Sequence, residues 1–246
     1  MTSRLQKKLD SIQLPFLLYI TDAYRTTPTA VLQVFSLHIQ IKQEATYARV
    51  ARTRSSSNIF TLTFSPTDYE SKSSKLHIHH QNILLYNQIS FAENHRDSGA
   101  KAIYADGSKT DEGIRCAYCI LENYGITASW QDILNHSNSA FQAEILAIKM
   151  AIVAASSLHR LIKILTDSLS SLMAIVNPKS HRCMVREIQT LLLSHKHIHL
   201  RWLKTHVGYL GNECADQLAK EAITKGDPFF LSKPLSYLKS TSGQLL

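Results

Sequence analysis

Five residues carry side chains able to hold cations or move protons at spacings that plain packing does not ask for: Asp106, Glu144, Asp167, His206 and Asp216. Asp106 and Asp167 each close an apolar run, in KAIYADGS and LIKILTDS. Both are therefore expected at carboxyl ends of strands, where sites form in such sheets. If the two strands are parallel neighbours, the carboxylates come together. Glu144 lies between Ala143 and Ile145, with Ala140, Ala147 and Ile148 three or four positions away, which puts it on the packed side of a helix. Asp216 is similarly embedded, between Ala215 and the Leu218/Ala219 pair. An unpaired buried charge is very costly, and the four acids have no obvious basic partners. Convergence on one edge would call for cations, and oxygen-only ligands favour hard ions, Mg²⁺ or Mn²⁺ rather than zinc. Two such ions roughly 3.5–4 Å apart can align an attacking water and the leaving oxygen of a phosphodiester. Taken singly, each acid has a plainer reading: Asp106-Gly a turn, Asp167-Ser a helix N-cap, Asp216 a surface residue. His206, with an ordinary pKa of about 6.5, is suited to moving a proton near neutral pH. Gly208 and Gly211 are expected to give its loop freedom, and Asn212 to open the helix that carries Asp216.

The elements that must position these groups are legible from residue 99 onward. KAIYADGS, GIRCAYCILEN and GITASWQDI read as three strands, the last two joined by a hairpin-like turn at Asn123-Tyr124-Gly125. SAFQAEILAIKMAIVAASS reads as a strong helix with Ser139 as its N-cap. LIKILTDS and HIHLRWLKTH are strands; SLSSLMAIV, CMVREIQTLLLSH and NECADQLAKEAI are helices. The order β-β-β-α-β-α-α-β-α describes an α/β protein with a mixed sheet and helices on its faces. Upstream, residues 1–55 carry helical periodicity, with Thr27-Pro28 as a capped restart. Residues 56–98 are polar and weakly patterned and read as a linker in which IFTLTF is a short strand. The tail after Pro228 fits no pattern.

Bulk properties narrow the function. The chain has 246 residues and a formal charge of +8, divided evenly as +4 over residues 1–98 and +4 over 99–246. A basic surface of this size suits a polyanion such as nucleic acid. No apolar run is long enough for a membrane span. The basic start MTSRLQKKLDSIQLPFLLYI is interrupted by Gln13 and Pro15 and lacks a small-residue cleavage site, so export is not expected. Cys116 and Cys119 form a C-x-x-C within a strand, where they face opposite sides, and no second pair follows at zinc-ribbon spacing. They read as buried, reduced thiols, which points to an intracellular setting with cytoplasm or nucleus unresolved. The His77/His79/His80 cluster reads as solvated rather than metal-binding.

With these residues in place, the chain resembles the type-1 ribonuclease H domain over about residues 99–226. The resemblance rests on IYADGS, FQAEILAI, LTDSLSSL and WLKTHVGYLGNECADQLAKEA, the last matching W-x-x-x-H-x-G-x-x-G-N-E-x-A-D-x-x-A at every fixed position. It implies a five-stranded mixed sheet flanked by helices over residues 99–228, between the helical extension and linker and a tail at 229–246. It also implies Mg²⁺-dependent endonucleolytic hydrolysis of the RNA strand of an RNA–DNA hybrid, leaving a 3′-hydroxyl and a 5′-phosphate. Asp106, Glu144, Asp167 and Asp216 map onto the family's metal ligands. One ion would be held by Asp106 and Asp167 with help from Asp216, the other with Glu144. His206 maps onto a mobile histidine that helps protonate or release product. Gly107 and Ser108 would approach the RNA minor groove, where the 2′-hydroxyl distinguishes RNA from DNA, and Ser139 and Ser168 would also touch substrate. Ala140 and Leu169 stand where members often carry polar contacts. Helix-linked basic protrusions of some members have no counterpart, leaving LSHKHIHLRWLKTH to supply positive charge. Residues 17–50 look like the segment after the polymerase in arthropod non-LTR retrotransposon polyproteins, so the chain is expected to be a carboxyl-terminal piece of one. The expected partner is the hybrid, with a monomeric protein, no membrane and no small-molecule cofactor. The alternative is a catalytically weak or inactive nucleic-acid-binding relic.

Overall fold

Apolar runs buried on both faces build the central strands, and small residues let the helices close onto them. The computed structural model describes residues 56–59, 62–70, 85–92, 99–205 and 207–237. The helices expected in residues 1–55, the His77/His79/His80 cluster and His206 lie outside the described residues. The chain divides into two compact units, residues 1–69 with 235–246 and residues 70–234. In the first unit, Ser57–Ile59 (β1) and Leu62–Phe64 (β2) pair antiparallel, so IFTLTF contributes to two strands rather than one.

The second unit holds a seven-stranded sheet. Its strands are Ile89–Ser90 (β3), Ala102–Thr110 (β4), Gly113–Glu122 (β5), Gly125–Leu134 (β6), Ile162–Thr166 (β7), Ile198–Trp202 (β8) and Asp227–Pro228 (β9). Their order across the sheet is β3-β8-β7-β4-β5-β6-β9. The meander β4-β5-β6 is antiparallel, while β7 runs parallel to β4, β8 to β7, β3 to β8 and β9 to β6. The five expected strands form the centre, and a two-residue strand is added at each edge. The β5–β6 turn consists of Asn123 and Tyr124 alone, at φ 53° and 63°, with Gly125 already in the strand. That double left-handed conformation is what a two-residue hairpin loop needs to match strand twist.

Helices cover the sheet unequally. Ala140–Ser156 (α1) packs across β4, β5 and β7 on one face, with Leu169–Val176 (α2) and Cys183–Ser194 (α3) beside it. Leu210–Lys225 (α4) packs on the other face over β4, β5 and β6. Ser139 caps α1: its hydroxyl accepts from the Gln142 N–H and the Gln142 side chain accepts from the Ser139 N–H, which satisfies two otherwise orphaned donors. Ile145, Leu146, Ile148 and Ile152 of α1 are fully buried, each worth about 1.5–3 kcal/mol. Cys116 and Cys119 are buried free thiols in the cores on opposite faces.

The stretch read as linker reaches into this sheet. Leu85 and Ile89 belong to the core, and the Gln88 amide nitrogen donates to the carbonyls of Leu192, His195 and Ile198 at 2.9, 3.2 and 3.0 Å. Residues beyond Pro228 also pack, since Phe229 and Leu231 lie against the same core. Among the described residues no helix is long and apolar enough to cross a membrane.

Candidate active site

The site begins where β7 stops. Pairing between β4 and β7 ends at Tyr104↔Leu165, while β4 continues to Thr110 against β5 alone. Asp106 is thus in the middle of a strand, not at its end as expected from the sequence. What ends there is the neighbour, and extending the register by two residues sets Asp106 beside Asp167. Glu144 reaches the same point from α1. A Cβ on Gly107 would overlap the backbone of Ala143 and Glu144, lying 2.8 Å from the Glu144 Cα, so only glycine lets α1 close at this height. One carboxylate oxygen each from Asp106, Glu144 and Asp167 lies within 4.8 Å of the others.

This proximity is electrostatically unfavourable without a cation. Burial first, then the charges of Asp167 and Asp216, push the Asp106 pKa up to about 7, with the Gly107 N–H and Lys220 partly opposing. Burial, followed by Asp106 and Asp167, pushes Glu144 up to about 9. The Glu144 Oε2 atom is buried without a hydrogen-bond partner. An orphaned oxygen beside two like-charged groups, all of them hard donors, fits a divalent cation such as Mg²⁺ or Mn²⁺. Asp167 is held in place: the Asn212 amide donates to its Oδ2 at 3.3 Å, and the Trp202 indole donates to its carbonyl at 3.1 Å.

The opposite wall comes from Lys204, Thr205 and residues within 207–216. Together the walls enclose a cleft of about 340 Å³. Asp216 lines it, but its placement differs from the embedded one expected: it is half-exposed and paired with Lys220 at 2.5 Å, one helical turn on. Among the described residues the acidic set therefore has one basic partner. Gly208 adopts φ +82° with open space around it, as a freely turning loop requires. Gly211 does something else, because a Cβ there would run into the buried Tyr104 ring; it is a contact glycine inside α4. Asn212 does not open the helix, which starts two residues earlier, and it serves instead as the donor to Asp167.

Ser108 and Ser168 line the cleft with the acids. Gly107 and Ser139 are not among its lining residues; the first admits α1 and the second caps it. Sequence reasoning passed over Asn212 as an orienting residue and Lys204 and Glu213 as lining. The asparagine and glutamate stood inside the quoted G-N-E-x-A-D block, whose spacing marks them.

Among solved structures, similar ones include the foamy viral protease-reverse transcriptase in complex with RNA/DNA hybrid, at 19% identity over 51% of this chain and 20% of that one, TM-score 0.44. Others are RNase H1 from the halophilic archaeon Halobacterium salinarum, at 24% identity, 51% and 98% coverage and TM-score 0.37, and the RNase H domain of PFV, at 20% identity, 51% and 95% coverage and TM-score 0.44. The chain spans about a fifth of the length of the foamy viral protease-reverse transcriptase. No curated protein matches it. A family model described as RNase H matches residues 98–224, more than half of the chain, and the chain belongs to the RNase H family.

Proposed function

We propose that the protein is a divalent-cation-dependent endoribonuclease acting on the RNA strand of an RNA–DNA hybrid. The observation that carries this reading is the cluster of Asp106, Glu144 and Asp167 oxygens within 4.8 Å, with Glu144 Oε2 buried and partnerless. Mg²⁺ or Mn²⁺ held there would supply a polarised phosphate and a more acidic bound water. Asp106, Glu144 and Asp167 would hold the ions, and Asp216 would join them by leaving Lys220. Asp106 and Glu144 would first release protons that burial favours, which links cation affinity to pH. The Asn212 amide keeps Asp167 turned inward during this exchange. Ser108 and Ser168 offer hydroxyls at the cleft to a 2′-hydroxyl, and His206 would give a proton to the departing 3′-oxygen. The polyprotein context, a non-LTR retrotransposon, rests on the resemblance of residues 17–50 alone.

The test is cleavage of a hybrid labelled on its RNA strand, with Mg²⁺, with Mn²⁺ and with chelator. Cleavage leaving 3′-hydroxyl ends is expected with metal only, and Asp167→Asn should lower it by several kcal/mol of transition-state stabilisation, about a thousandfold or more. An intact hybrid beside a reference nuclease active in the same buffer overturns the reading. A hybrid that is bound yet uncut would leave the binding relic in its place.

A further inference from the structure

The unequal cover of the sheet leaves one surface without an assigned role. On the face carrying α4, that helix packs chiefly over β4, β5 and β6, and Leu165 of β7 shares a core with its Ala215. Register fixes which side chains of β7 and β8 share that face. Ala102 pairs with Lys163 and Lys163 with His199; Tyr104 pairs with Leu165 and Leu165 with Arg201. Ala102, Tyr104 and Leu165 belong to the core on the α4 side, so Lys163, His199 and Arg201 project on that side too, because alternate strand residues share a face.

The strip carries two cations and an imidazole around Leu165. Among the described residues Lys163 and Arg201 have no acidic partner, and the acid nearest in register, Asp167, belongs to the cleft. All three side chains are partly exposed. His199 is held toward its neutral, hydrogen-bonding form by burial first, then by Arg201, with His197 and Lys163 adding to it. Register sets Lys163 beside His199 and Arg201 two residues further along β8, so two cations flank an imidazole on one face, a pattern that suits an anion. Beyond Arg201 the strand ends at Trp202, and the chain continues through Leu203 to Lys204, which lines the cleft. His199 and Arg201 are two strand residues apart, about 6.6 Å, close to the rise of about two nucleotides at 3.4 Å each.

We propose that Lys163, His199 and Arg201 form a phosphate-binding strip that grips the sugar-phosphate backbone of the substrate duplex outside the catalytic cleft. The identity of the polyanion rests on the nuclease reading above; the charge pattern does not. The strip reads no bases, since contacts to phosphate position a duplex without specifying sequence. It extends the footprint along β8 and makes affinity depend on duplex length.

The test is binding without cleavage: fluorescence anisotropy of the full chain in chelator, on hybrids of roughly 6 and 18 base pairs, across a salt series. For the unaltered protein the slope of log K against log salt should be steeper on the longer hybrid by about 2, near 0.9 per phosphate contacted. Lys163→Gln/Arg201→Gln should abolish that increment, weaken long-hybrid binding about tenfold and leave the short hybrid unaffected. Lys163→Arg/Arg201→Lys should behave like the parent. A parent slope that does not grow with length overturns the strip without recourse to any variant. So does a folded double variant that keeps the increment, or one that loses affinity equally on both lengths. If the hybrid is never cut but the increment appears and vanishes as stated, the nuclease reading falls and the strip stands. If cutting is normal and no increment appears, the reverse holds.

Discussion

The two walls of the cleft solve the problem of crowded charge in opposite ways. The sheet wall gathers Asp106, Glu144 and Asp167 on buried framework, and among the described residues none of the three forms an ion pair with a basic side chain. The helix wall presents Asp216 half-exposed, already paired with Lys220, on α4 behind a loop that turns at Gly208. One wall is uncompensated and the other compensated. On the proposed function, the sheet wall would hold the cation and the helix wall would set how much negative charge that cation meets.

The strongest way to break this comparison is Glu144→Gln, which keeps shape and removes a carboxyl that must take up a proton to stay buried without metal. Activity should fall about a thousandfold or more, as a lost metal contact is worth several kcal/mol. At the same time the metal-free protein should melt higher than the parent near pH 8, as sites that trade stability for function do. A variant that loses activity and also melts lower would show the sheet wall to be compensated after all.

A pH series sharpens the same point with a smaller effect. In the folded protein Asp106 and Glu144 keep protons up to about pH 7 and 9, against ordinary values of 3.8 and 4.5. The folded state then binds more protons than the unfolded one across that window, so stability falls as pH rises through it. Asp132, raised to about 6 by burial and by Asp227, adds to the fall at the acid end, which leaves pH 6–9 as the diagnostic range. The metal-free melting temperature should drop by several degrees over that range, and saturating Mg²⁺ should flatten the drop. A flat metal-free profile would contradict the frustrated sheet wall.

The smallest effect belongs to the helix wall. Lys220→Met removes an exposed i,i+4 pair and should change stability by only about 0.5 kcal/mol. Cation affinity, measured by calorimetry, should rise about two- to threefold as Asp216 is freed, the same half kilocalorie expressed as binding. A large loss of stability would mean that Lys220 does more than neutralise its neighbour.

The order and type of the central elements were legible because apolar alternation and caps are local signals. Ser139 shows this, with its capping partner three residues away. Asp106 shows the limit. A polar residue closing an apolar run marks the loss of one neighbouring strand as readily as the end of its own, and only pairing distinguishes them. A glycine misled in the same way: Gly208 is a loop glycine, while Gly211, grouped with it, is a contact glycine inside α4 whose neighbour, Tyr104, is far away in sequence. The edge strand at Ile89–Ser90 was hidden for a third reason. Two residues carry no periodicity, and the partner that makes them a strand, Leu200–Arg201, follows more than 100 positions later.

The Gln88 clamp has a mechanical consequence. Tension arriving along the chain from before residue 85 meets three side-chain hydrogen bonds to the α3–β8 turn and the β3–β8 pairing. It is delivered to β8, two strands from β4, so the strand bearing Asp106 is reached only through β7. Asp167 lies nearer to the load, since it follows β7 and its carbonyl accepts from Trp202 of β8.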